Sequence, residues 1–317
     1  MEFRGIWNLL TGHMSKPLIA TARAMAFGLV ASILGGCAAT SVPAAGRPHE
    51  NSLGMKFVPV PGATALFSVW ETRVRDFEAF VRAADYHQTA ESLLTWNEAG
   101  QLTTLRGSFP DPWLKPSPHP AFTNGPDFPV VCVTWADSRA FCRWLTDKER
   151  REGRLGPDQE YRLPTDAEWS LAVGLTGEGE GSPADKRNRI KGQYPWGPQW
   201  PPPTGAGNYR GEEWNDGHGI PGYRDGFQFT APVGRFRANR HGLYDLGGNV
   251  FEWCLDEYEP GRGVLRGGSF ADNNVDVNEG SLQSSFRQLS RTTVQPHALF
   301  GFRVVLAGEP PPPRVRP

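Results

Sequence analysis

The stretch that most constrains this chain is Gly242–Trp253, GLYDLGGNVFEW, followed by RGGSF at Arg266–Phe270 and GFR at Gly301–Arg303. Glycines at 242, 247 and 248 release the backbone into conformations closed to other residues. Asp245 and Glu252 bracket the loop with carboxylates, and Tyr244, Phe251 and Trp253 supply bulk to pin it. Such a loop aims carbonyls and carboxylates at one point, which is how a hard cation is held. The composition fits a fold of fixed loops: 37 Gly, 29 Pro and 11 Trp, with only 38% hydrophobic residues. That profile predicts a loop-rich globule with a lean aromatic core, not a helical bundle.

A formal net charge of −1 over 317 residues gives no electrostatic case for a nucleic-acid partner. No basic stripe with interleaved aromatics is present either.

Lys16 and Arg23 precede an apolar run, Ala24–Gly36, that ends at Cys37. The run is too short to span a bilayer comfortably. It has the charged n-region and short apolar h-region of a secretory signal. Leu34-Gly35-Gly36-Cys37 resembles a bacterial lipobox, which implies a diacylated Cys37 as the new N-terminus. The alternative is a plain signal peptide, or a tethering helix with an incidental cysteine. The expected organisation is a signal at 1–37, a small polar linker at 38–50, one domain at 51–307 and a proline-rich disordered tail at 308–317. The expected location is the bacterial cell envelope, attached to a membrane through lipid. Ala38 is not acidic, which favours the outer membrane.

Three cysteines remain, Cys132, Cys142 and Cys254. An odd number allows at most one internal pair. They are read as small buried hydrophobes, with a disulfide among them as the alternative. No C-x-x-C, H-E-x-x-H or H-x3-H spacing occurs, so zinc and non-heme iron have no visible site.

Along the chain, Met55–Val60 reads as a strand. A helix follows, with Thr72 as cap and Val74, Phe77, Val81 and Ala84 on one face. Residues 101–128 are rich in Pro, Gly and aromatics without a period and read as a long surface loop. Pro129–Trp135 reads as a short buried strand. A second helix is expected at Ala136–Lys148, capped by Thr134, with Ala136, Ala140, Phe141, Trp144 and Leu145 inward. Thr165 and Glu168 stand in capping-box spacing before a third, short helix. Residues 174–222 read as loop.

The ordered series PVV-x-VTW-x-D, RLPTDAEW, PWG, GNY, DGF-x-x-TAPVG, GLYDLGGNVFEW, RGGSF, GFR resembles the formylglycine-generating enzyme, or sulfatase-modifying factor, family. The likeness runs from about Asn51 to Leu306. It implies an α+β, C-type-lectin-like fold, loop-rich, with small antiparallel sheets and a few helices. It also implies two structural calcium sites. Carried over residue by residue, the first is Asn208, Tyr209, Asp225 and Phe227. The second is Asp245, Gly248, Val250 and Glu252, with Asp245 where the family often has Asn. Oxygen ligands with carboxylates suit calcium. The alternative makes Asp225 and Glu252 hydrogen-bond acceptors or partners of arginines such as Arg266.

The family's oxidases hold copper with two cysteine thiolates, because soft sulfur suits Cu(I). The positions that match are Asp272 and, loosely, Val277, so copper is not expected. Cys142 matches a structural disulfide cysteine whose usual partner position holds Val304, so that bridge is not expected either.

Three functions follow. The first is a ligand- or partner-binding module without oxidase activity, recognising a protein, peptide or glycan. Its candidate surface is Asp272, Asn273, Asn274, Arg287, Arg291 and His297, unless these form only a solvated loop. The second is an enzyme, either the copper-dependent formylglycine-generating oxidase or another activity in the same cleft. The third is a structural envelope component.

Overall fold

A computed structural model describes residues 48–273, 280–289 and 295–308. The signal, Cys37 and the tail beyond Gly308 lie outside them. The chain opens with β1 (His49–Glu50), β2 (Lys56–Pro59) and β3 (Ala65–Ser68), then α1 (Val74–Ala84). A hairpin of β4 (Thr89–Trp96) and β5 (Leu102–Pro110) leads to α2 (Trp135–Arg151). After β6 (Glu160–Arg162) come α3 (Asp166–Val173) and the single turn α4 (Pro183–Lys186). A long stretch of irregular chain precedes β7 (Phe251–Glu259) and β8 (Arg262–Arg266). β9 (Gln288–Leu289), β10 (Phe300–Gly301) and β11 (Val305–Ala307) complete the order. His49 and Glu50, expected in the linker, pair with Phe57 and Lys56 and so belong to the first sheet.

That sheet runs β1-β2-β3-β11-β6, all antiparallel. β11 sits between β3 and β6, so the two ends of the domain close the same sheet. The second sheet runs β10-β7-β8-β9. It departs from the expected antiparallel pattern at one edge, where β10 pairs parallel with β7. The α+β class, with small sheets and few helices, is as expected.

Capping sets the helices. Thr134 caps α2 by accepting from the Asp137 N–H at 3.2 Å, and Thr165 caps α3 by accepting from the Glu168 N–H at 3.1 Å. α1 differs from its expected start. Arg73 is the cap, and Asp76 reaches back to its backbone N–H at 3.0 Å and its guanidinium at 2.8 Å. Phe77 and Phe80 form the buried face of α1, while Ala84 is exposed. On α2, Phe141 and Leu145 are buried, Ala140 and Trp144 pack partly, and Ala136 is exposed.

Two local expectations fail. Residues 101–128 are not all loop, because β5 pairs with β4 from Trp96↔Leu102 to Thr89↔Pro110. β5 is exposed along most of its length, so no burial imposes a period on its sequence. Pro129–Trp135 is not a strand. Val130, Val131, Cys132 and Val133 are buried as expected. Their backbone instead bonds singly: Val130 N–H to Thr72 C=O at 2.9 Å, Cys132 N–H to His297 C=O at 3.1 Å. Cys132 has φ 59, which breaks any ladder there. A short apolar run signals burial, not conformation.

Candidate functional site

The 242–253 loop is the hub to which the other motifs attach. Gly248, at φ 80, lets the backbone pass Asn208: a Cβ there would lie 2.2 Å from the Asn208 carbonyl oxygen. Asn249 is fully buried. Its Nδ2 donates to Glu71 Oε2 at 2.7 Å, and its Oδ1 accepts from Asn208 Nδ2 at 3.0 Å and Ala231 N–H at 2.9 Å. Gly248 N–H donates to Gly267 C=O at 3.0 Å, and Phe270 N–H to Asn249 C=O at 3.0 Å. The GNY, TAPVG, GLYDLGGN and RGGSF segments thus meet through one asparagine and its neighbours.

Glu252 joins two more motifs. Arg303 grips it from Nε at 2.8 and 2.9 Å and from Nη2 at 2.6 Å, and Trp169 Nε1 donates at 2.9 Å. Glu252, Glu71 and Arg303 are each fully buried. Burial first, then the nearby Asp245 and Glu252 carboxylates, push the Glu71 carboxyl well above its usual range. The interior therefore sets three carboxyl groups, Glu71, Asp245 and Glu252, against the guanidinium of Arg303. Glu71 and Asn249 were not singled out in the sequence. The signal for both was present, a lone carboxylate before α1 and an amide inside the glycine run.

The two expected calcium sites differ: in the first, Asp225 bonds Tyr209 and Phe227, while in the second Asp245 and Glu252 bond separate partners. At the first, Asp225 accepts the Tyr209 N–H and the Phe227 N–H, each at 2.9 Å. Asn208 Nδ2 donates to Phe229 C=O at 2.8 Å, but its buried Oδ1 has no partner. Burial chiefly, with Glu213 adding, pushes the Asp225 carboxyl up to about 7 against the pull of those two N–H groups. At the second, Asp245 Oδ2 accepts the Gly234 N–H at 2.7 Å and Oδ1 is buried without a partner. Burial raises the Asp245 carboxyl to about 6, with Glu252 adding, while the Gly234 N–H and Arg303 oppose. Asp245 sits at φ 55, a left-handed conformation. Arg266 is not the partner of Asp225 or Glu252; it pairs with Asp166 at 2.5 Å. Among the described residues no three His, Cys, Asp or Glu side chains converge on one point. Any cation in these loops would lean on carbonyl and amide oxygens as well.

The expected ligand surface is corrected by burial. Asp272 turns inward and accepts the Ser269 N–H at 2.9 Å and hydroxyl at 2.6 Å. Asn273 is buried and donates to His218 C=O at 2.6 Å. Arg287 is fully buried, bonds Asp166 at 2.9 and 3.0 Å, and pairs with Glu178. The buried His297 ring stacks on Phe300 at a centroid distance of 4.3 Å, and its Nδ1 accepts the Leu299 N–H at 3.1 Å. Burial alone drives its pKa down to about 3, so it is neutral. These four side chains turn inward, each with a hydrogen-bond or stacking partner. Asn274, Arg291 and Val277 lie outside the described residues.

Cys132, Cys142 and Cys254 are all buried and unbridged, and burial raises each thiol pKa. None offers an exposed thiolate.

Comparison with known proteins places this geometry. Residues 65–307 match the sulfatase-modifying factor enzyme 1-like domain. The chain is 32% identical over 266 residues to the inactive C-alpha-formylglycine-generating enzyme 2 of Bos taurus, covering 75% of each chain. It is 30% identical over 203 residues to the formylglycine-generating enzyme of Thermomonospora curvata, covering 57% of this chain and 56% of that one. In structure it resembles PvdO from Pseudomonas aeruginosa, with a TM-score of 0.52 at 17% identity, over 84% of this chain and 99% of that one. The match runs from β3 through the hairpin and the hub to β11, so the chain belongs to the sulfatase-modifying factor enzyme 1-like domain family.

Proposed function

We propose that this protein is a non-oxidase member of its family: a lipid-anchored, calcium-stabilised module that binds a ligand or partner at the cell envelope. The observation that carries this reading is Asp272. It stands where the family's first copper cysteine would be, and its carboxylate is already committed to Ser269. A hard carboxylate does not replace a thiolate for Cu(I). The donors present do not fit copper. Similarity alone does not decide the matter, since relatives at 32% and 30% identity are named for an inactive and an active enzyme.

Calcium fits better. The orphaned Asn208 Oδ1 and Asp245 Oδ1 are hard acceptors awaiting a positive charge. Asn208, Tyr209, Asp225 and Phe227 would hold one ion; Asp245, Gly248, Val250 and Glu252 would hold the other. Each ion would neutralise buried carboxylate and fix the loops. At the second site Glu252 is already gripped by Arg303, so Asp245 and the carbonyls carry more of the burden.

The test is incubation of the protein with copper, reductant, oxygen and a peptide bearing the sulfatase Cys-x-Pro-x-Arg motif, read by mass spectrometry. No aldehyde above the no-enzyme control is expected. Turnover of the peptide cysteine would refute the reading and direct attention to Cys132, Cys142 and Cys254.

A further inference from the structure

A cleft of about 410 Å³ opens beside the hub loop. Tyr194 and Trp196 form one wall, stacked on each other at 4.9 Å with ring planes 2° apart. Trp196 is held in place, its indole N–H donating to Gln199 C=O at 2.7 Å and its ring meeting Tyr209 edge-on at 4.9 Å. The floor packs tightly: a Cβ on Gly247 would fall 2.3 Å from the Pro195 ring. Arg237 and Arg240 line the cleft and are exposed. Arg240 lies over Gly174, within 3.2 Å of where a Cβ would stand, and its Nε contacts His241 Nε2 at 3.1 Å. Among the described residues neither guanidinium is in an ion pair. The lining carries one carboxylate, Asp245, which is buried at the floor.

Each feature restricts the occupant. Two unpaired guanidiniums at the rim favour an anion, and a carboxylate matches their fork. The Asp245 carboxylate is buried beneath the floor and is a calcium ligand on the reading above, so a ligand's charge is met by the arginines of the rim. A fixed aromatic wall offers a face to the C–H side of a sugar ring. The volume suits about one or two pyranose rings. We propose that this cleft binds an acidic saccharide, its carboxylate on Arg237 and Arg240 and its ring against Trp196. The inference deepens the reading of the protein as a ligand-binding module, moving the ligand from the buried Asp272–His297 cluster to this cleft. It is independent of the oxidase assay, which scores a different chemistry.

The experiment is calorimetric titration of the full-length protein in detergent micelles with digalacturonate, its neutral counterpart galactobiose, and inorganic phosphate. Saturable binding of digalacturonate is expected, at least tenfold tighter than galactobiose and weakened by salt. Arg237→Gln with Arg240→Gln should weaken it at least tenfold while leaving the melting temperature unchanged, since both side chains are exposed. No saturable binding at millimolar digalacturonate would overturn the proposal, as would equal binding of galactobiose or an unaltered double variant. Displacement by equimolar phosphate would reduce the cleft to a bare anion site and overturn it too.

Discussion

Replacing Arg287 separates a structural arginine from a ligand-facing one. Its guanidinium bonds Asp166 and Glu178 and reaches the carbonyls of Ser285 at 2.8 Å and Lys186 at 3.2 Å. In Arg287→Met, Asp166 keeps Arg266 at 2.5 Å. Glu178 keeps the Ser170 hydroxyl at 2.6 Å and the more distant charge of Arg266, but loses its direct ion-pair partner. Removing one partner of a buried ion pair costs about 3–5 kcal/mol. Urea unfolding at neutral pH should show a loss of that size. Adding Glu178→Gln should recover part of it, because the stranded charge is then gone. Acid should narrow the gap. Burial would raise both carboxyls, but Arg266 and Arg287 outweigh it at Asp166, and Arg287 and Ser170 at Glu178, so both stand below their usual range. A depressed folded-state pKa adds stability above the unfolded carboxylate range, and that stability is lost as pH falls through the folded value. Wild type therefore loses this advantage on acidification, while the variant is relieved as Glu178 protonates. A loss below about 1 kcal/mol would refute the burial argument, and so would a gap that stays constant from neutral to acid pH.

Other outcomes are as direct. Chelation should lower the melting temperature and calcium restore it, worth about 2.7 kcal/mol at a hundredfold excess over Kd. Asp225→Asn should blunt that response, and a metal-stripped sample indifferent to calcium would remove both sites. Fatty-acid labelling should mark wild type and not Cys37→Ser; label retained in the variant would sink the lipid anchor. Thr134→Ala should cost about 1 kcal/mol by leaving the Asp137 N–H without its cap, and an unchanged denaturation midpoint would contradict that cap.

The sequence determined what depends on residue type at fixed local spacing. Thr134 and Thr165 announced two helix starts, because a hydroxyl three residues before an acidic side chain satisfies the first amide groups whatever surrounds them. The glycine run around Asp245 announced an irregular hub, since few other residues accept its backbone. The ordered motifs announced the family. Tertiary structure alone decided which polar groups face inward. Arg287 and His297 looked like surface residues because nothing local marks their burial. Arg287 is buried because Asp166 and Glu178, over a hundred positions away in sequence, converge on it, and His297 because Phe300 and the loop at Cys132 close over it. The β4–β5 hairpin stayed hidden for the opposite reason: β5 faces solvent, so burial never wrote a period into it. The Arg237–Arg240 cleft was invisible as well, because its aromatic wall and its cations come from separate loops brought together by tertiary packing, such as that of Gly247 beneath Pro195.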